Sequence, residues 1–185
     1  QGNRNIEIKP YGIGGITTDL TADPIRENRG DGAAGVDVKL GLTQNLTADF
    51  TYNTDFAQVE VDEQQVNLTR FNLFFPEKRE FFLEGSNLFD FGQASETGGG
   101  GSRPPTLLFY SRRIGLEKGG KIPIVFGNKL AGKEGRTSIG ALNVLTDNAL
   151  VPDDDDTIAV NQTNYSVLRL KRDIMSRSNV GMIFV

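Results

Sequence analysis

Eight carboxylates crowd one part of this sequence: Asp55, Glu60, Asp62, Glu63, Glu77, Glu80, Glu84 and Asp90. Basic residues stand among and after them, at Arg70, Lys78, Arg79, Arg112 and Arg113. Three chemistries fit such a set. Two carboxylates suitably spaced serve as acid and base, or acid and nucleophile, of a glycosidase, which needs no histidine. Glu60, Asp62, Glu77 and Glu84 are the candidates for that role. A cluster of hard oxygen ligands binds Ca²⁺. The plainest reading pairs the carboxylates with the nearby cations and holds the segment in place, and it is the preferred one. No residue is assigned as catalytic. Glu60, Asp62, Arg70, Glu77, Arg79, Glu84, Arg112 and Arg113 are the binding candidates. A second acidic run, Asp153-Asp154-Asp155-Asp156, lacks the spacing and glycine of an EF-hand loop. It reads as a solvated loop tip with weak Ca²⁺ binding as its alternative, and no other cofactor is expected.

Composition narrows the chemistry further. The chain has no histidine and no cysteine, which removes Ser-His-Asp catalysis, the usual zinc hydrolases, thiol nucleophiles and disulfides. A net charge of -4 argues against nucleic acid, whose partners present a basic face. No apolar run approaches the length of a membrane-spanning helix. A transmembrane β-barrel stays open, because its strands are short and only half apolar.

The acidic stretch must be positioned by something, and its flanks read as β-strands. Residues 5–16 form a strand that Pro10 restricts to an edge. Residues 35–42 and 46–53 alternate cleanly around a turn at 43–45, a hairpin. Residues 106–114 read as a strand. Residues 122–131 and 137–145 form a second hairpin, and 164–172 with 179–185 a third. Residues 17–33 and 146–162 read as long polar loops. Short turns thus alternate with long connections, as in outer-membrane barrels. On that model Val36, Val38, Leu40, Leu42, Val180, Met182 and Phe184 meet lipid, while Asp37, Lys39, Asp49, Thr51 and Asn53 line the lumen. A soluble β-sandwich gives the same alternation, and pattern alone does not separate the two.

Inside the acidic stretch, residues 76–85 read as a short helix, with Pro76 at its first position and Gly85 just past its end. Seven of the chain's twelve phenylalanines fall between Phe71 and Phe91. Phe74, Phe75, Phe81 and Phe82 call for burial against the sheet or within a barrel.

The runs DFAQVEVDEQQVNLTRFNLFFPEKREFFLEG and LFYSRRIG resemble a signature of large Gram-negative outer-membrane proteins of unknown function. Those proteins pair an N-terminal domain similar to family-nine carbohydrate-binding modules with a long C-terminal β-barrel. The match spans residues 53–115, and KLAGKEGRTSIGALNV resembles the barrel hairpin that follows. The resemblance implies an outer-membrane location and glycan handling; it supplies no catalytic residues.

The expected fold is therefore all-β, with antiparallel up-and-down hairpins forming a partial transmembrane β-barrel around a short helical, Phe-rich insert. Residues 1–185 are one barrel region of a longer chain, 55–92 a plug and 93–105 a flexible Gly/Pro loop. The expected function is binding or passage of an extracellular ligand of glycan type. Expected partners are membrane lipid, that glycan, and the rest of the chain or a partner subunit. The alternatives are a carboxylate-dependent carbohydrate-active enzyme and a soluble all-β module of a surface assembly.

Overall fold

The computed structural model describes residues 5–19, 26–54, 77–89, 108–117, 120–153, 156–176 and 178–185. The strands are β1 (Ile6–Asp19), β2 (Arg26–Gly41), β3 (Leu46–Tyr52), β4 (Leu116–Glu117), β5 (Gly120–Lys121), β6 (Ile124–Glu134), β7 (Thr137–Thr146), β8 (Ala149–Asp153), β9 (Asp156–Val160), β10 (Asn164–Met175) and β11 (Ser178–Phe184). Seven of them form one open antiparallel sheet in the order β1-β2-β3-β6-β7-β10-β11. The fold is all-β, and its large sheet has β1 and β11 as edges among the described residues. Pro10 sits in edge strand β1, where its missing N–H is tolerated.

All three expected hairpins form; the second and third are longer than alternation indicates, while the first pairs Val36–Gly41 with Thr47–Tyr52. The tight β6–β7 turn has two residues, with Glu134 paired to Thr137 and Gly135 at φ +57. A glycine at the first position of a two-residue loop matches the twist of the flanking strands. β3 stops at Asn53, whose φ of +52 leaves the strand region and whose side chain donates to Ala34 O at 2.6 Å. β3 pairs directly with β6, so no strand from the intervening chain lies between them.

Three expectations are corrected. Residues 17–33 are largely strand, since β1 and β2 stay in register through Gly14–Gly32 and Ile16–Gly30 to Thr17–Arg29 and, after a shift of register, pair again at Asp19–Arg26. A ladder of backbone hydrogen bonds needs no apolar side chains, so glycine and alanine continue it without an alternating pattern. Residues 146–162 likewise contain the hairpin β8–β9, with Asp153 opposite Asp156. Residues 108–114 are not a strand: Ser111–Arg113 is a 3-10 turn.

The short turns (42–45, 135–136 and after Met175) all lie at one end of the sheet. The long connections lie at the other, as strand directions and register require. The core is on one face only. Phe82, Phe89 and Ile114 pack with Ile124, Leu142, Val144 and Val167 of the sheet.

Candidate functional site: the covered face of the sheet

Side chains alternate between sheet faces, so register sorts them. One row on the covered face runs Glu7, Lys39, Asp49, Lys129 across β1, β2, β3 and β6, alternating in charge, then Leu142 and Val167 on β7 and β10. This face is thus charged on one half and apolar on the other. Residues 77–89 lie over it and match it.

Over the charged half sits the helix α1 (Glu80–Leu83). It is shorter than expected because Glu77 to Arg79 serve as an anchor instead of a first turn. Gly85 takes φ +70 just beyond it, as its position predicts. Glu80 pairs with Lys9 at 3.3 Å, and Glu84 with Lys39 at 2.5 Å. Both pairs are solvent-exposed. Lys129 is buried beneath α1. Its ammonium lies 2.9 Å from Asp49 Oδ2 and donates to Phe81 O at 2.6 Å and Glu84 O at 2.9 Å. It also faces the Phe81 ring at 5.1 Å. Neither oxygen of Asp49 completes an aligned hydrogen bond, so Asp49 is held by charge.

Over the apolar half sit Phe82 and Phe89, both buried. Two strand glycines make room for the aromatic rings. A Cβ on Gly127 would stand 3.1 Å from the Phe81 ring, and one on Gly140 3.2 Å from Phe89. Phe81 and Phe82 meet edge to face at 5.1 Å, while Leu83 turns outward.

The anchor joins residues 77–79 to 111–114. Arg79 makes a two-pronged pair with Glu77, Nε–Oε1 at 2.8 Å and Nη2–Oε2 at 2.7 Å. It also donates to Ile114 O at 2.5 Å and Ser111 O at 2.9 Å and lies 4.1 Å above the Phe82 ring. Ser111 Oγ donates to Glu77 Oε2 at 2.7 Å. A strand at 108–114 would engage these carbonyls in a ladder; the 3-10 turn leaves them for Arg79. Burial pushes the Glu77 carboxyl up, but hydrogen bonds and charge from Arg79, with Ser111, outweigh it and hold the carboxyl below its ordinary range.

Of the predicted site residues, Glu77 and Arg79 thus come together. Glu84 is 45 positions from its partner Lys39. Arg112 is buried and Arg113 exposed. Glu60, Asp62 and Arg70 lie outside the described residues, as do Asp154, Asp155 and residues 93–105. Among the described residues, no group of three or more Asp or Glu side chains is placed to hold a metal ion. Lys9, Lys39 and Lys129 are the partners that reasoning from the segment alone misses. Lys129 carries a faint signal, a lysine between Gly127 and Ala131 on one strand face, where small neighbours leave space above.

The chain's similarity to a known family extends over nearly its whole length. Residues 6–184 match the profile described as "Domain of unknown function (DUF5916)". The chain belongs to this family. No curated protein and no solved structure matches it. In this DUF5916 domain, then, the covered face is a structural site first: the acidic groups Glu77, Glu80 and Glu84 of the segment over it are each paired with a cation.

Proposed function

We propose that this sheet is part of an outer-membrane β-barrel, with its charged face turned inward, its apolar face toward lipid and residues 77–89 lying inside as a plug. The observation that carries the reading is which face is covered. The face bearing Glu7, Lys39, Asp49 and Lys129 has the segment over it. The opposite face is open and apolar, its central row running Ile6, Leu40, Ala48, Leu130, Ala141, Leu168, Phe184 across all seven strands. Ile6, Ile8, Tyr52, Val180 and Phe184 are each more than half exposed. A half-buried antiparallel sheet in water covers its apolar face; here the core lies over the face that carries the charged row, and the more continuously apolar face is open. Four rows of this face, from Leu170 to Asn164 on β10, span about 20 Å at roughly 3.4 Å per residue, near the apolar band of about 25 Å in outer-membrane barrels. Asn128, Asn143 and Ser166 interrupt the third row and Asn164 the fourth; Asn143 Nδ2 donates to Ser166 Oγ at 2.8 Å and to Asn164 Oδ1 at 2.6 Å.

On this reading the short-turn end is periplasmic, and further strands of the same chain or a partner subunit pair with β1 and β11, since open edges are costly in lipid. The function is binding or passage of an extracellular polar ligand past the plug. The glycan class rests on the resemblance to barrels joined to carbohydrate-binding modules.

Spin labels on the full chain in liposomes test the topology. Labels at Val38, Leu168 and Met182 should be relaxed by oxygen, and labels at Lys39 and Lys171 by a polar nickel chelate. Aqueous accessibility at all three apolar positions would remove the membrane reading. Liposome swelling with mono- and oligosaccharides then tests the ligand class.

A further inference from the structure

The open apolar face ends, at the short-turn end, in exposed cations that form no contact ion pair among the described residues. β10 carries Leu168, Leu170, Arg172 and Ile174 on that face by alternation, so Arg172 interrupts an apolar stripe. Its register neighbours are Val180 on β11 and Thr137 on β7. Arg136 precedes Thr137, and its carbonyl accepts from Asp173 N at 2.9 Å. Lys171 is the next residue on β10, on the other face. All three cations are exposed. Of the described acidic groups facing them, Asp173 also acts on Lys171 and Arg136 through its charge, and each acid has a nearer partner. Asp173 pairs with Lys133 at 2.7 Å, and Glu134 accepts from Thr43 Oγ1 at 3.2 Å. Among the described residues, Lys133, Arg136, Lys171 and Arg172 against Glu134 and Asp173 leave this end with two positive charges in excess. Beside them Ile174 and Met175 are exposed at 52% and 72%.

Cations set among exposed apolar side chains at the rim of an apolar band suit a membrane interface, where long basic side chains reach headgroups while their stems lie in hydrocarbon. We propose that Arg136 and Arg172 form a binding site for the phosphate of anionic phospholipid headgroups in the leaflet at the short-turn end. The site rests on the membrane reading and adds to it a lipid preference and a depth: Arg172 lies at headgroup level, and the row of Ile139, Leu170 and Met182 is the first in hydrocarbon.

The test is co-flotation of the full chain with vesicles of phosphatidylcholine alone and of phosphatidylcholine with phosphatidylglycerol at low salt. Each basic residue near an anionic surface contributes about fivefold in partitioning. Phosphatidylglycerol should therefore raise binding of the parent tenfold or more, an effect that 0.5 M salt should suppress. R136Q/R172Q should lose the increase while binding neutral vesicles like the parent; K9Q, at a distance, should keep it. Equal binding of the parent to both vesicles overturns the lipid site and leaves the membrane reading standing. Binding to neither overturns both. An increase that the double variant retains, or that millimolar glycerol phosphate abolishes at constant ionic strength, also overturns the site.

Discussion

Lys129 Nζ lies 2.9 Å from Asp49 Oδ2 across the β3–β6 pair and donates to the backbone of the segment above at Phe81 O and Glu84 O. One ammonium thus neutralises a buried carboxylate of the sheet and holds α1 down. Removing one member of a buried pair leaves an uncompensated charge, at a cost of about 3–5 kcal/mol. Lys129→Met is expected to destabilise by that amount in denaturant titrations of the full chain. Asp49→Asn should cost less, because Lys129 keeps its two carbonyls. The double variant should recover part of the loss of Lys129→Met, and a double-mutant cycle measures the coupling. Additive costs would show that the two charges do not sense each other.

Glu77 gives the segment a pH dependence of definite sign. Its folded-state carboxyl is held below the ordinary value of 4.5. Its contribution is therefore complete above that value and is lost as pH falls through the folded-state one. Hydrogen exchange at residues 79–89 should be constant from roughly pH 5 to 8, after correction for intrinsic rates, and rise below about pH 4. Glu77→Gln should abolish that acid step and expose the segment at every pH, since Arg79 then lacks its counter-charge. An acid step unchanged in Glu77→Gln would assign the pH dependence elsewhere.

The seats of the aromatic rings are testable by size. A Cβ on Gly140 would lie 3.2 Å from Phe89, tighter than ordinary contact. Gly140→Val is expected to cost about 1–3 kcal/mol through overpacking, and Gly140→Ala less. A Cβ on Gly14, in edge strand β1, meets nothing within 4 Å. Gly14→Ala should be neutral or slightly stabilising through the unfolded chain. Thermal melts of the three variants provide the comparison, and equal melting temperatures would mean that Phe89 does not rest on Gly140.

Much of the sheet is legible from alternation, because Val36 to Leu42, Leu46 to Tyr52 and Leu168 to Phe184 must segregate their faces whatever covers them. The extended β1–β2 ribbon is not. Gly14, Gly15, Gly30 and Gly32 contribute only backbone, and backbone pairing leaves no mark in hydropathy. Leu107 to Tyr110 read as strand because they are apolar, yet Arg79 draws the carbonyls of Ser111 and Ile114 away from any ladder. The anchor Glu77–Arg79 is local and foreseeable. The pairing of Glu80 with Lys9 and of Glu84 with Lys39 is not, since it depends on which strands lie under α1, a question of register rather than of spacing.

The open apolar face separates water from lipid by a single class of substitution. In water, replacing a half-exposed leucine by arginine on an uncovered surface changes stability by no more than about 0.5 kcal/mol. On the lipid face of a barrel the same change costs about 2–4 kcal/mol at mid-depth and about 0–1 near the interface. Leu168 lies in the central row and Val180 in the rim row with Arg172. Folding of the full chain into liposomes, followed by urea titration, should therefore show a large loss for Leu168→Arg and almost none for Val180→Arg. Lys171→Leu, on the opposite face, should leave insertion intact. The gradient from Leu168 to Val180 is the informative quantity, because a general defect in folding would affect both positions without regard to depth. A flat response would place both residues in water and return the sheet to a soluble module.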